Sequence, residues 1–257
     1  MRIHLALGAL ALALALSPSL SNAQEQSRPS LTDMTDIERE AFRNEVRAYL
    51  LENPEVLMEA IRILEARRDA NARDKDAMAI ASNYQQIFKN PNSWVDGNPD
   101  GDITLVEFAD YRCGYCKRAH PELKELLARD PNIRLVVKEF PILGPDSVTA
   151  ARIATAATEI DSSKFKALND AMMTFGGQLN ETAIYQIAGT IGYDIPALKA
   201  RAAEPDIEAR IAETYALARN LGLEGTPSFV LGDQIIRGYI PLDEMIAAVA
   251  EARDATN

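Results

Sequence analysis

Cysteine is nearly absent from this chain of 257 residues, which contains two cysteines, two histidines and one tryptophan. Two cysteines are too few for the disulfide framework of a small secreted domain or for a four-cysteine zinc site. Positive charge is also in deficit, since 27 lysines and arginines stand against 38 aspartates and glutamates, for a net charge of −11. An acidic chain binds nucleic acid and anionic membranes poorly, so we expect no nucleic-acid partner.

Long hydrophobic runs are missing as well, apart from one at the start of the chain. Arg2 precedes an apolar run over residues 5–16, which a Ser-Pro pair ends, and small residues follow up to Ala23. The run is shorter than the about 20 residues that cross a bilayer, and its flanks are those of a signal peptide. We therefore expect a signal peptide over residues 1–23 and a periplasmic product; the alternative is an uncleaved membrane anchor.

The two cysteines, Cys113 and Cys116, lie where an apolar strand gives way to a helix. Residues 103–109 have the pattern of the strand, and the helix is expected from about Cys113 to residue 128. A disulfide across so short a loop stabilises a fold little, so the pair indicates a redox dithiol. The alternative is a metal-binding pair, because the two thiols alone could bind Cu(I). His120 lies too far along the helix to share that ion, and we expect no resident metal and no cofactor.

The position in the helix predicts different roles for the two thiols. Unpaired N–H groups and the helix dipole at the N-terminus stabilise a thiolate, so Cys113 is predicted to be the exposed nucleophile. Cys116 lies one turn inside and is predicted to be the buried thiol that resolves a mixed disulfide. Between them, Gly114 and Tyr115 are expected to face the substrate and to tune the reduction potential.

Of two predicted strands, 103–109 contains the charged residue Glu107 and 133–140 contains Lys138. By alternation Glu107 shares a face with apolar neighbours, so its burial is expected. A buried carboxyl has a raised pKa and can exchange a proton with the resolving thiol. Lys138, on the second strand, is predicted to be the partner of Glu107. The alternative is that both charges are solvated at a strand edge.

The order of the elements predicts an α/β fold with a helical insertion. The two strands and the helix between them form a βαβ unit, whose strands should be parallel. Residues 146–221 then contain only helical patterns, divided into four or five helices by turn signals. Residues 227–231 and 234–238 form a predicted hairpin, and a helix over 242–253 ends the pattern. Without the insertion, the remaining order is βαββα.

The segment before this domain has a different pattern. Residues 24–66 contain two short amphipathic helices, the first opening with a capping box at Thr35 and the second carrying an apolar stripe at Leu57, Ile61 and Leu64. Residues 67–89 begin with a charged stretch that is either a solvated helix or a linker, and 90–257 is the catalytic domain. Helices this short bury their stripes either on the main domain or on other copies of the chain, and the charged break favours self-association.

Two motifs together resemble a known family. Cys-Gly-Tyr-Cys at a strand-to-helix turn, followed much later by Gly225-Thr226-Pro227 at the start of a strand, resembles the thioredoxin fold. The helical insertion resembles the DsbA branch, and residues 108–121 with the N-terminal extension are most similar to ScsC-type proteins. The resemblance implies a thioredoxin fold with a DsbA-like helical insertion and an α-helical oligomerisation arm, which forms a trimer in ScsC-type proteins. It also implies a cis bond before Pro227, with the Thr226 backbone facing Cys113 for substrate binding, and a proton-exchange role for Glu107.

The same resemblance implies a function. It is that of a periplasmic thiol:disulfide interchange enzyme acting on exported proteins with disulfides or thiols, with a membrane redox partner that maintains the dithiol. Cys-Gly-Tyr-Cys is the pair of bacterial disulfide isomerases, which favours an isomerase or reductase. The alternatives are a monomeric DsbA-like oxidase and a copper-binding protein with a role in copper tolerance.

Overall fold

The computed structural model describes residues 34–255 of the chain. The chain divides into two compact units, Met1–Ile63 and Leu64–Asn257. The expected signal peptide and the first residues of the expected arm lie outside the described residues. Within residues 34–255, no helix is both long enough and apolar enough to cross a membrane.

The described residues of the first unit, 34–63, contain one helix and the first part of a second, and both expose apolar side chains. Helix α1 (Asp36–Glu52) begins with the predicted capping box, in which the Thr35 hydroxyl accepts from the Glu38 N–H and the Glu38 carboxylate accepts from the Thr35 N–H. The helix ends at Asn53, whose side-chain amide donates to Tyr49 O at 2.9 Å. No residue of α1 is buried, and Ile37 is 83% exposed.

Helix α2 (Glu55–Ser82) continues through the charged stretch that the sequence left open between helix and linker. A short helix α3 (Tyr84–Phe88) follows it. In the second unit, Asp76 of α2 accepts two hydrogen bonds of 2.8 Å from Arg237. The polar surface of the stretch is therefore compatible with a helix because its charges face solvent or an ion-pair partner.

The second unit contains a five-stranded mixed sheet in the order β1-β3-β2-β4-β5. Strands β2 and β3 are parallel, as the βαβ pattern predicts, and the other neighbours are antiparallel. Strand β1 was not predicted, because its four residues lie among turn signals and include Asp96 and Gly97. The strands are β1 (Trp94–Gly97), β2 (Ile103–Ala109), β3 (Ile133–Glu139), β4 (Ser228–Leu231) and β5 (Gln234–Arg237).

Helices cover both faces of this sheet. Helix α4 (Gly114–Arg129) joins β2 to β3, and the predicted insertion is helical from Pro145 to Asn220. One buried cluster unites α4 and the insertion with one sheet face, and a smaller cluster fills the other face against α3 and the end of the last insertion helix. The remaining helices are α5 (Pro145–Ile160), α6 (Ser162–Thr174), α7 (Glu181–Ile191), α8 (Ile195–Ala202), α9 (Pro205–Asn220) and α10 (Leu242–Asp254).

Candidate active site

A buried aspartate fixes the turn between β2 and α4. Asp110 is 1% exposed, and its carboxylate accepts from the N–H groups of Arg112 at 2.8 Å and Leu143 at 3.0 Å. Its backbone carbonyl accepts from the Cys113 N–H at 3.0 Å. These bonds satisfy the polar groups of a sharp turn, and they hold Cys113 at the N-cap of α4.

Cys113 is strongly disposed to be a thiolate. The pKa of this thiol is lowered to about 5, first by a hydrogen bond from the Cys116 thiol and further by Thr226 and the backbone N–H groups of Cys116 and Tyr115, against the opposing effect of burial. When protonated, Cys113 Sγ donates to Thr226 O at 3.2 Å. The sequence predicted an exposed nucleophile, but Cys113 is only 6% exposed, because the Thr226 carbonyl lies against its sulfur.

Cys116 has the opposite character. It is 0% exposed, and the structure holds both cysteines as free thiols. Its pKa is raised well above the usual range, first by the hydrogen bond with Cys113, then by burial and by the charge of Glu107. One helical turn therefore carries a thiolate and a thiol that retains its proton, which is the arrangement that nucleophilic attack followed by resolution requires.

The expected substrate-binding residues surround Cys113. The Thr226–Pro227 bond is cis, as predicted. Pro227 immediately precedes β4, and its carbonyl oxygen accepts at 3.0 Å from the N–H of Gly238, which immediately follows β5. Gly114 has open space where a side chain would project, and Tyr115 is 61% exposed. An extended peptide can therefore approach the backbone of Thr226 beside the nucleophile.

Sequence reasoning missed the aromatic neighbour of Tyr115. The rings of Tyr115 and Tyr239 are 6.2 Å apart, and the Arg118 guanidinium lies 4.5 Å from the Tyr239 ring centroid. The Tyr239 hydroxyl donates to Glu122 at 2.7 Å. More than a hundred residues separate Tyr239 from the cysteine pair, and no local pattern marks it.

Glu107 is buried, as predicted. Its residue surface is 4% exposed, and it faces the cluster that contains α4 and the insertion. Burial raises the pKa of the Glu107 carboxyl to about 8, and the charge of Cys113 adds to that rise. Near neutral pH such a carboxyl can both take up and release a proton beside Cys116.

The predicted pairing of Lys138 with Glu107 is wrong. In the parallel register Glu107 is opposite Val137, whereas Lys138 is opposite Phe108 and so lies on the other face of the sheet. The Lys138 ammonium donates to Gln86 O at 2.6 Å and to Ser93 Oγ at 2.7 Å. Lys138 is 4% exposed, and burial lowers its pKa to about 8, so it is neither a solvated edge charge nor a partner of Glu107.

Metal ligands do not cluster around the cysteine pair. Within residues 34–255, no three His, Cys, Asp or Glu side chains are grouped so that they could hold a metal ion. The imidazole of His120 is directed to Asp170, with His120 Nε2 and Asp170 Oδ1 2.9 Å apart. The two thiols are thus the only soft ligands that the described site offers to an ion such as Cu(I).

The fold and the site define a dithiol protein of the thioredoxin class, with a cis-proline loop against the nucleophile and a helical insertion over the buried carboxyl. The family model for the DSBA-like thioredoxin domain matches residues 104–250, more than half of the chain. The chain therefore belongs to the DSBA-like thioredoxin family, as the sequence resemblance implied. The model for the Copper resistance protein ScsC N-terminal domain matches residues 38–70.

Individual relatives agree with this assignment. A thioredoxin-like oxidoreductase from Silicibacter pomeroyi is 44% identical, with a TM-score of 0.63 over 66% of this chain and 97% of that one. Proteus mirabilis ScsC in a transitional conformation is 27% identical, with a TM-score of 0.64 over 88% of this chain and 100% of that one. The second similarity covers more of this chain than the first.

Curated relatives are mostly longer than the matched region. The Thiol:disulfide interchange protein DsbC of Salmonella typhimurium is 29% identical over 160 residues, 62% of this chain and 55% of DsbC. The chain spans only 24% of the length of two Na(+)/H(+) antiporters from Salinispora species that it matches at 28–29% identity.

The pKa of Cys113 should depend on the hydrogen bond between the two thiols. Cys116→Ala removes the largest effect that lowers the pKa of Cys113, so this pKa should rise from about 5, by about one unit or more. Cys116→Ser keeps an O–H donor at the same place and should raise it less. The pH dependence of iodoacetamide labelling at Cys113, followed by mass spectrometry, measures all three proteins. Equal midpoints would show that Cys116 does not stabilise the thiolate.

Proposed function

We propose that the protein is a periplasmic thiol:disulfide interchange enzyme that acts on exported proteins. The observation that carries the proposal is the contrast between its two thiols. Cys113 is stabilised as a thiolate at the N-cap of α4, and Cys116, one turn further, is stabilised as a thiol. A structural disulfide has no need of such a contrast, whereas exchange chemistry depends on it.

The reaction begins with attack of the Cys113 thiolate on a substrate disulfide. A bond forms between Cys113 Sγ and one substrate sulfur, and the other substrate sulfur leaves as a thiolate. Cys116 then loses its proton to Glu107 and attacks Cys113 Sγ, which releases the substrate as a second thiol and leaves the enzyme disulfide. If a substrate thiol attacks instead, the substrate is isomerised and the dithiol is regenerated.

Substrate peptides bind beside Cys113 in this proposal. The Thr226 carbonyl, whose oxygen is 3.2 Å from Cys113 Sγ, offers the backbone partner, and Pro227 fixes the loop. Gly114 leaves room for the substrate backbone, and Tyr115 offers an exposed ring. Backbone pairing of this kind accepts many sequences, which suits an enzyme with many substrates.

Isomerase or reductase activity, rather than oxidation, is the direction that we favour. Cys-Gly-Tyr-Cys, a threonine before the proline and an N-terminal arm with exposed apolar side chains occur together here, in a chain similar to DsbC and to ScsC. Both directions need the dithiol to be reduced at the start, so a membrane redox partner would return electrons to the enzyme. A DsbA-like monomeric oxidase is the alternative, and the oligomeric state separates the two.

The N-terminal arm, residues 24–66, is proposed to join chains into a homo-oligomer, with a trimer favoured. Its apolar side chains are open to solvent in the single chain: Leu57, Ile61 and Leu64 are 49%, 47% and 49% exposed. Contiguous exposed apolar surface is unfavourable in water and indicates a partner surface. Several active sites on one assembly would hold a misfolded substrate during repeated exchange.

Copper binding is a second candidate, since the arm matches the ScsC N-terminal domain model and the two thiols lie together. Catalysed refolding of a protein with scrambled disulfides separates the candidates. The reduced chain should restore native disulfides, and Cys113→Ser should abolish that activity because no nucleophile remains. Tight Cu(I) binding without detectable exchange would replace the enzyme proposal with copper sequestration.

Charged substitutions in the apolar stripe of the full chain test whether the arm joins chains. Leu57→Glu with Ile61→Glu places charges in the apolar stripe and should convert the oligomer into a monomer, as light scattering measures. Glu59→Lys, on the opposite side of the helix, is the matched control and should leave the oligomer intact. The monomer should lose isomerase activity and still reduce small disulfides. A monomeric wild-type chain would contradict the arm proposal and favour the oxidase.

A further inference from the structure

Glu107 shares its face of the sheet with a second carboxyl. In the parallel register of β2 and β3, Glu107 is opposite Val137 and Glu139 is opposite Ala109, so the two glutamates are diagonal neighbours on one face. Glu107 is enclosed, whereas Glu139 is half-buried and lines a pocket between β3, α5 and α9 that opens to solvent. Glu107 is therefore enclosed near the dithiol, and Glu139 lies on the wall of the pocket.

The polar contacts of Glu139 suit both of its protonation states. Tyr111 Oη lies 3.0 Å from Glu139 Oε1 and 3.0 Å from Asn169 Oδ1. A hydroxyl has one proton and can donate to only one of them at a time. When Glu139 is ionised, Tyr111 donates to it. When Glu139 is protonated, it donates to Tyr111 Oη, and Tyr111 donates to Asn169.

Building on the proposed function, we propose that Glu139 shares a single proton with Glu107 and thereby sets the pH at which Glu107 can accept the proton of Cys116. Glu139 does not touch the sulfur atoms and acts as a positioning residue for the proton. Nothing in the cysteine motif or in the cis-proline loop requires a second carboxyl here. Its hydrogen-bond partner, Tyr111, belongs to the turn before α4, and Asn169 of the helical insertion in turn contacts Tyr111.

Electrostatics support the shared proton. Two carboxylates close together in a poorly solvated site do not both ionise readily, so one retains its proton. Burial raises the pKa of Glu139 to about 8 and the charges of Asp110 and Glu107 raise it too, while the hydrogen bond from Tyr111 opposes the rise. Removing the charge of one carboxyl should therefore make the other easier to ionise.

No cation neutralises the pair within the described residues. The Lys138 ammonium is held by Gln86 and Ser93, and Arg210 pairs with Glu159 and Asp206. Tyr193 lies near Tyr111, and Glu213 lies in the pocket beside Glu139. The other charged or titratable groups around Glu107 are Cys113, Cys116, Asp96, His120 and Lys124.

In the resolution step, Cys116 gives one proton to Glu107 and Glu139 releases one proton. The Cys116 S–H bond breaks, its proton binds Glu107, and the sulfur electron pair forms the bond to Cys113 Sγ as the substrate thiolate leaves. Once Glu107 is neutral, Glu139 no longer faces a charged neighbour and releases its own proton to the solvent pocket. Tyr111 then turns its O–H from Asn169 to Glu139.

Carbon-13 NMR of the reduced chain with labelled glutamate tests the pair directly. The Glu139 side-chain signal is identified by its loss in Glu139→Gln. Asn169→Leu removes the acceptor that serves the protonated form and should lower the proton affinity of Glu139. Tyr111→Phe removes the donor that serves the ionised form and should raise it. We expect shifts of about threefold or more in opposite directions, and equal or same-sign shifts would overturn the proposal.

Two further measurements do not use the Asn169 and Tyr111 variants, and the first needs no substitution. In the wild-type chain the Glu107 and Glu139 signals should both titrate in two steps, since coupled groups share their titrations. A single independent step for each would overturn the proposal. In Glu139→Gln, release of glutathione from its mixed disulfide with Cys113 should begin at lower pH than in wild type, because Glu107 ionises more readily. If wild type shows no exchange while the carboxyls remain coupled, the proposed function fails and the pair stands.

Discussion

The hydrogen bond from the Cys116 thiol to the Cys113 thiolate is the interaction on which the rest of the site depends. It is the largest effect that lowers the pKa of Cys113, and it is also the largest that raises the pKa of Cys116. One contact therefore favours the thiolate at Cys113 and the protonated thiol at Cys116. The geometry exists because Asp110 fixes the turn that starts α4, so that both sulfurs lie on the first helical turn.

The ionisable groups around this contact differ in how deeply they are buried. Cys113 Sγ lies 3.2 Å from Thr226 O, Glu107 is buried on the sheet, and Glu139 lies on the same sheet face beside a pocket. The helical insertion contributes more than a cover, because α6 supplies Asn169 to the hydroxyl that contacts Glu139. In the proposed mechanism, disulfide exchange takes place at Cys113 beside Thr226, and proton exchange takes place at Glu107 and Glu139 on the sheet.

Local signals predicted much of this structure. The strand before Cys113, the helix after it, the capping box at Thr35 and the helical insertion depend on short patterns, and each was found. Pairing across strands was harder, because a shift of one residue changes the face of the sheet. Lys138 was expected beside Glu107 and lies on the opposite face. Tyr239 and the contacts among Tyr111, Glu139 and Asn169 join residues far apart in the chain, and no local pattern reveals them.

Trapping of mixed disulfides tests most directly whether Cys113 is the attacking thiol and Cys116 the resolving thiol. Cys116→Ser retains the nucleophile and removes the resolving thiol, so the full-length variant should accumulate mixed disulfides with thiol-reactive protein substrates, all through Cys113. Cys113→Ser retains only the buried thiol and should accumulate none. Mass spectrometry of the trapped species identifies the linked cysteine. Mixed disulfides through Cys116 in the Cys113→Ser variant, formed as readily as those through Cys113, would contradict the account.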